Sequence, residues 1–443
     1  MNVHPFVVAL DTLEPARRIG FVRRVSPGHV EAQGPLATLG EICEIACRSN
    51  DREPRQVLAE VAAVEDDHIV LIPFDQTASI APDARVVLSP ARTFAPVGDN
   101  FAGRAIDALG EPIDEGAPIL ADALRPIAGT VLSPMEREEP AEILETGIRA
   151  LDATLPIGRG QRIGVFAASG VGKTTLIRQL AAQVACERCV LALVGERGRE
   201  VESIWRELSQ SADAARYTCV AATSDLSPVL RARAIGQALS LAEYWRDAGE
   251  HVLLIVDSVT RYAMALREIG LAAGAPPTLR AYTPNVFSAL PRLVERCGGA
   301  RAGGSVTAIM TILSETDDID DPIAEVMKSL LDGHIVLSRQ LAEQGHFPAI
   351  DVPRSISRQA PRLMSPAHAR NARKAIAALA TFEDARIMID SGLYKAGANV
   401  RLDEAVRGRE ALVSFLQQPG GERVALADTL NRLSAVVGAP TYA

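Results

Sequence analysis

Along the first quarter of the chain, hydrophobic and polar positions fall into short β-like runs broken by turn residues. Residues 19–25, 57–64, 69–74 and 85–88 are the clearest runs. Ser26-Pro27-Gly28, Gly34-Pro35, Asp66-Asp67 and Ala81-Pro82-Asp83 lie between them. Short strands with regular punctuation predict a small barrel or sandwich. Nothing in this stretch has the residue types of a catalytic site, so its expected role is assembly. Residues 92–147 are rich in Pro and Gly and predict irregular chain entering the next domain rather than a free linker. The pattern then changes. Continuous apolar runs at 163–166, 189–195, 252–257, 306–313 and 334–337 alternate with segments of helical spacing. That alternation predicts an α/β sheet, largely parallel. From about residue 365 strand signals vanish, and Ala-, Leu- and Arg-rich helical segments dominate at 366–381 and 407–417. The expected domains are therefore 1–90, 91–364 and 365–443.

The most informative stretch begins with the run at 163–166. Ala167, Ala168, Ser169, Gly170, Val171, Gly172, Lys173 and Thr174 form a loop of small residues after it. Leu176, Ile177, Leu180, Ala181 and Val184 then recur at helical spacing. Strand, glycine loop and helix in that order are the context a phosphate-binding loop requires. Gly170 and Gly172 let successive backbone N–H groups turn inward, and the helix N-terminus, with Thr175 in its first turn, adds its positive dipole end. Lys173 is then placed for the β- and γ-phosphates of a nucleotide and the Thr174 hydroxyl for Mg²⁺. The first glycine of G-x-x-x-x-G-K-T is here Ala167, a change that leaves the phosphate-facing end of the loop intact.

Three further positions fit this chemistry. Residues 252–257 form an apolar strand ending in Asp257, and such a carboxylate beside the loop holds Mg²⁺ through the Thr hydroxyl and water. Glu196 comes after the preceding strand in a charged run. It suits a group that polarises the attacking water, and equally a solvated loop carboxylate. Arg358 comes after Ser355-Ile356-Ser357, beyond the last expected strand. It is either a surface charge or a cation inserted into a neighbour's site.

Composition narrows the partners. The chain has 443 residues, enough for two or three domains, with 48% hydrophobic and 23% charged residues. A net charge of −9 and 4% aromatics speak against a protein that grips and stacks nucleic acid. Residues 1–13 lack a basic segment leading into an apolar core, so no secretory signal is read there. No apolar span of transmembrane length occurs. Cys186 and Cys189 form a lone C-x-x-C, which fits reduced thiols at a helix–strand junction better than a zinc site.

Taken together, these segments resemble the F1/V1-type rotary ATPase superfamily, and within it the protein-export branch of flagellar and type III secretion (injectisome) ATPases. The resemblance rests on LPIGRGQR (155–162), AASGVGKT (167–174), GERGREV (195–201), DSVTRYAMALRE (257–268), APPT (275–278), YTPNVF (282–287), LPRLVER (290–296), DGHIVLSR (332–339) and FPAIDVPRSISR (347–358). It is densest over roughly 100–360 and looser at both ends. It implies an N-terminal small β-barrel, a RecA-like P-loop core and a C-terminal helical domain. It also implies ATP and Mg²⁺ as ligands, with a site formed by residues 168–175, Asp257 and Phe347. By position, Glu196 becomes the general base, Arg197 its phosphate-side neighbour, Arg261 a supporting residue and Arg358 a finger donated to the adjacent subunit. Phe347 falls where the family usually has a tyrosine stacked on adenine, and a phenyl ring keeps the stacking face. Ala168 departs from the usual glycine of the branch. The resemblance implies a cytoplasmic homohexamer, peripheral at the inner face of the cytoplasmic membrane. Its expected partners are a membrane export gate, a stator-like regulator, a coiled-coil stalk protein, and exported proteins with their chaperones.

Other functions compete. A Rho-type RNA motor would need aromatic and basic residues in the barrel, and residues 18–90 offer only Phe21 and Phe74 as aromatics. A catalytic subunit of an ion-translocating rotary ATPase would carry an acidic helix-turn lever, which is not evident at 404–418. A purely structural nucleotide-binding subunit would not need Lys173, Glu196, Asp257 and Arg358 together. The sequence therefore points to an export ATPase, with the flagellar system favoured by Ser355-Ile356-Ser357-Arg358 and the Ala398-Asn399 turn.

Overall fold

A computed structural model of the chain describes residues 18–47, 55–313 and 321–438. The expectation about a secretory signal at 1–13 lies outside the described residues.

Six strands, Ile19–Ser26, His29–Gln33, Ile42–Cys47, Arg55–Val64, Ile69–Pro73 and Arg85–Leu88, close into a barrel. Alternate residues point inward, and Val22, Val30, Ala32, Ile45, Val57, Leu71 and Val86 fill the interior. Two of the six strands are missing from the sequence expectation. HVEAQ and ICEIAC are short and carry a charge in mid-run, which hides their period. The first hairpin closes over Pro27-Gly28, where Gly28 takes a φ of 83° that a side chain would resist. Phe21 lies on the outside of the barrel, more than half exposed.

The central sheet runs in the order Ile356–Ser357, Gly333–Val336, Arg162–Ala167, Ser305–Leu313, His251–Asp257, Arg188–Val194, Tyr217–Ala222, Arg104–Ile106. All neighbours are parallel except the first pair. Helices cover both faces, so the strands read as unbroken apolar runs rather than alternating ones. Ile163, Val165, Leu191, Leu193, Leu253 and Ile255 meet the helices Lys173–Gln183 and Gly198–Ser209 on one face. Val190, Ala192, Leu254, Val256, Ala308 and Met310 meet the helices Pro228–Asp247, Val259–Ala272 and Pro284–Glu295 on the other.

The stretch expected to be irregular, 92–147, contains five short strands, Phe94–Val97, Arg104–Ile106, Ala123–Pro126, Arg137–Glu138 and Ile143–Leu144, of which the second joins the sheet edge and the fourth pairs with Gly298–Ala300 beside it. Elements of two to four residues are too short to show a period. Ile356–Ser357 likewise adds an edge strand beyond the last expected one, 334–337, which is observed as Gly333–Val336.

The C-terminal helices are longer than the sequence suggested, Pro366–Asp390 and Val400–Leu416, and a third, Leu426–Gly438, joins them. Ala375, Leu379, Leu412, Phe415 and Leu433 are continuous with the core face that holds the P-loop helix. Among the described residues no helix is long and apolar enough to cross a membrane.

One buried ion pair anchors the chain entering the core. The Arg296 guanidinium donates to both Glu243 oxygens at 2.6 and 3.0 Å and to the Ile127 carbonyl at 2.9 Å. Both side chains are only 5% exposed, so each is left as an uncompensated buried charge when the other is removed. Glu243→Leu is therefore expected to lower unfolding free energy by about 3–5 kcal/mol. The double variant with Arg296→Met should be less destabilised than the two single losses summed. Additive losses in urea titrations would show that the pair does not act as a unit.

Candidate active site

The strand Arg162–Ala167 lies inside the sheet between Ser305–Leu313 and Gly333–Val336, and the loop leaves its carboxyl end. Positive φ falls on Gly170 (81°) and Gly172 (92°), not on Ala167 or Ala168. That is why alanine is accepted at the first two positions of the loop. The helix Lys173–Gln183 starts directly after Gly172, with no side-chain cap and no acidic residue in its first turn. Its first N–H groups are thus available to an anion. Thr174 and Thr175 occupy that first turn, half-buried and exposed respectively, while Ser169 is exposed in the loop.

Three ionisable side chains from three elements converge here. Asp257 ends the strand His251–Asp257 and is almost fully buried. It accepts a 2.7 Å hydrogen bond from the Thr311 hydroxyl and a further one from the Lys173 ammonium. Glu196 stands two residues past the strand Arg188–Val194, 8% exposed. Its Oε1 lies 3.7 Å from Lys173 Nζ and 3.7 Å from Arg261 Nε. That oxygen is buried and has no hydrogen-bond partner, and neither has Arg261 Nε. Burial pushes the Glu196 carboxyl above the usual range and the Asp257 charge adds to this, while Lys173 and Arg261 pull it back.

Gly195 makes the approach of Glu196 possible. It has a φ of 69°, and a Cβ there would meet Arg261 Cδ at 2.7 Å. The charged run at 195–200 is therefore not simply a solvated loop: one of its carboxylates turns inward.

Phe347 lies over the same loop. Its ring is 3.4 Å from where a Cβ on Gly172 would sit, and it borders a small cavity of about 40 Å³ with Thr175, Leu176, Gln179 and Gln418. The ring is 45% exposed, leaving a face open.

Two of the expected residues are not brought to this cluster. Arg197 is at the cap of the helix Gly198–Ser209, its side chain 67% exposed and paired with Glu200 at 3.7 Å. Arg358 comes just after the antiparallel edge strand, and its N–H bonds the Asp332 carbonyl at 2.9 Å, while the Asp332 N–H bonds the Arg162 carbonyl. Arg358 is thus level with the start of the strand whose other end carries the loop. Its guanidinium donates to the Lys328 carbonyl at 2.9 Å.

The sequence reading missed Thr311, Arg149 and Gln418. Thr311 was detectable as a hydroxyl within an apolar run. Arg149 and Gln418 tie the C-terminal helices to this site. The Gln418 amide accepts from Arg149 N–H at 2.8 Å and donates to the carbonyls of Gly147 and Glu422, both at 2.7 Å. Its backbone N–H bonds the Phe347 carbonyl at 2.8 Å. The Arg149 side chain donates to the carbonyls of Phe415 and Gln417 and pairs with Glu422 at 3.1 Å. Both Gln418 and Arg149 are buried, and they lie 269 positions apart, so no local signal marks the pair.

Comparison with known proteins agrees with this architecture. Residues 147–357 match the nucleotide-binding domain of the ATP synthase alpha/beta family, residues 29–89 its beta-barrel domain, and residues 364–435 the T3SS EscN ATPase C-terminal domain. The chain is 40% identical to the flagellum-specific ATP synthase of Bacillus subtilis over 99% of each chain. It is also 40% identical to the type 3 secretion system ATPase of Xanthomonas euvesicatoria over 96% of each. The assembled ATPase EscN of the enteropathogenic E. coli type III secretion system superposes with a TM-score of 0.89 at 37% identity, over 94% of this chain and 100% of that one.

The two adjacent glutamines give a sharp test of the tie between the C-terminal helices and the site. Gln418→Leu strands the buried Arg149 N–H and Gly147 carbonyl and is expected to cost about 2 kcal/mol or more. Gln417 is exposed and contributes only backbone groups, so Gln417→Leu should stay near wild type. Equal urea midpoints for the two variants would refute the structural role given to Gln418.

Proposed function

The chain belongs to the ATP synthase alpha/beta family, and from that footing we propose that it is the ATP-hydrolysing motor of a protein-export apparatus, acting as a homohexamer. The observation that carries the reading is the convergence of Lys173, Asp257 and the hydrogen-bond-free Glu196 oxygen at the carboxyl ends of parallel strands. The match of residues 364–435 to a type III secretion C-terminal domain favours export over ion translocation. Between flagellar and injectisome export, the flagellar assignment is the one proposed.

In this reading Gly170, Gly172 and the uncapped helix start receive the ATP phosphates, and Lys173 exchanges the Asp257 carboxylate for β- and γ-phosphate oxygens. The residues present fit a magnesium ion: a threonine hydroxyl at the helix start and a buried carboxylate on the neighbouring strand end. Thr174 and Asp257 would hold it, and when bound it neutralises charge developing on the phosphates. Glu196 orients the attacking water and takes its proton, helped by a carboxyl poised above the ordinary range. Arg261 keeps that carboxylate aimed, and Phe347 offers its open face to adenine.

Arg358 supplies the transition-state cation to the neighbouring subunit, an assignment supported by its distance from the loop of its own chain. Arg197 is proposed to act at the same junction, because its side chain is exposed and pairs with Glu200 rather than with the loop. A solved complex of assembled EscN with its central stalk EscO, 36% identical with a TM-score of 0.85, supports proposing a stalk partner here. A stator-like regulator, a membrane export gate and exported proteins with their chaperones complete the proposed assembly, at the inner face of the cytoplasmic membrane.

Lys173→Ala should abolish ATP hydrolysis in a folded protein, and retained turnover would sink the phosphate assignment. Glu196→Gln should bind ATP yet fail to hydrolyse it. Arg358→Ala should lose roughly 10³–10⁵-fold in turnover at every protein concentration. Mixing the last two variants should restore part of the activity, because some interfaces pair an intact base with an intact finger. Absence of rescue in mixed oligomers verified by mass would rule out a shared site.

A further inference from the structure

The end of the P-loop helix remote from the phosphates carries a second cluster. After Gln183 the chain passes through Val184, Ala185, Cys186 and Glu187 into the strand Arg188–Val194, whose second residue is Cys189. Cys186 is half-buried and borders a cavity of about 770 Å³ with Arg159, Glu187, Arg216 and His251. Cys189 is fully buried and does not line that cavity. Both are free thiols three positions apart, and each shifts the acidity of the other.

A fixed cation faces the outer sulfur. Arg216 Nη1 lies 3.9 Å from Cys186 Sγ and donates to the Val184 carbonyl at 2.9 Å. Nη2 donates to the carbonyls of Ala181 and Ala182, each at 2.9 Å, and to the Tyr217 hydroxyl at 2.6 Å. The guanidinium thus satisfies the last carbonyls of the helix, which no intrahelical donor reaches. It also masks the negative end of the helix dipole, which would oppose a thiolate at this position.

We propose that Cys186 and Cys189 form a hydroperoxide-responsive dithiol, in which Cys186 is the attacking sulfur and Cys189 the resolving one. The Cys186 thiolate attacks one oxygen of the hydroperoxide. An S–O bond forms, the O–O bond breaks, and the second oxygen leaves as hydroxide or alkoxide and takes up a proton. The sulfur has given up two electrons and is a sulfenic acid. Cys189 then attacks that sulfur. The S–S bond forms, the S–O bond breaks, and the oxygen departs as water with the Cys189 proton. A small dithiol reverses the step by exchange.

The order of attack is set by access, since the outer thiol borders the cavity and the inner one is enclosed. It agrees with the thiol acidities. The neighbouring Cys189 thiol and the Arg216 charge hold Cys186 below the ordinary value, against burial and the Glu187 carboxylate. Cys189 is held above it. The other cysteines are built-in controls. Cys47 is also half-buried but is raised by burial, and buried Cys43, Cys219 and Cys297 are each pushed up to about 12.

The full chain should be treated with hydrogen peroxide, its remaining thiols alkylated, and the product digested with trypsin. Cleavage after Arg188 separates the two cysteines, so a disulfide appears as two joined peptides. The expected result is that link as the first oxidation product, removed by dithiothreitol. In Cys189→Ser, dimedone should capture a sulfenic acid at Cys186. Cys186 should also be alkylated at neutral pH about tenfold faster than Cys47. The proposal is overturned if Cys47 reacts as fast as Cys186. It is equally overturned if no joined peptide forms in protein whose circular dichroism is unchanged, or if Cys189→Ser yields no dimedone adduct at Cys186.

Discussion

An ammonium group held between two carboxylates, out of reach of most water, is the interaction on which the centre of this molecule turns. Lys173, Asp257 and Glu196 come from a helix start, a strand end and the turn beyond another strand. Removing charges from water is costly unless each finds a partner. Asp257 finds two, the Thr311 hydroxyl and Lys173, whereas Glu196 sits 3.7 Å from both of its cations and bonds to neither. The cluster is therefore balanced in charge but incomplete in hydrogen bonds. In the proposed function, a polyphosphate and a water molecule would enter it without first dismantling a satisfied network. The parallel sheet makes this possible by ending neighbouring strands side by side.

The same site is held from outside the sheet. Arg149 and Gln418 join the short helix Arg149–Thr154 to the end of Val400–Leu416, and Gln418 also holds the backbone of Phe347. The C-terminal helices are thus joined to the pocket by hydrogen bonds as well as by the shared core of Ala375, Leu379 and Phe415. A displacement of those helices would be felt first at the ring over the loop, not at the carboxylates deep in the sheet.

Legibility tracked burial and length. The buried strands 163–166 and 252–257 were readable because both faces are covered and every residue is apolar up to the functional one. The loop after the first was readable because left-handed backbone falls on its two glycines. Tyr217–Ala222 was not, since YTCVAA mixes small and polar residues although all six are buried. Arg104–Ile106 and Ile356–Ser357 are too short to show any period. In the charged run, Glu196 and Arg197 look alike in sequence. Only the turn at Gly195 sends one inward and leaves the other 67% exposed. Gln418 depends on a partner 269 residues away and had no local sign.

The barrel has a further consequence because it closes on itself. Every one of its six strands has two neighbours, and the central sheet ends in edge strands of three and two residues. There is no long row of unpaired backbone groups in these described parts onto which another copy could add a strand. These parts offer copies of this chain no long strand edge to share. Side-chain contacts are set residue by residue and can be released one at a time, whereas a shared sheet must be unzipped. A closed assembly of this chain would then rest on side-chain complementarity rather than on a sheet shared between copies.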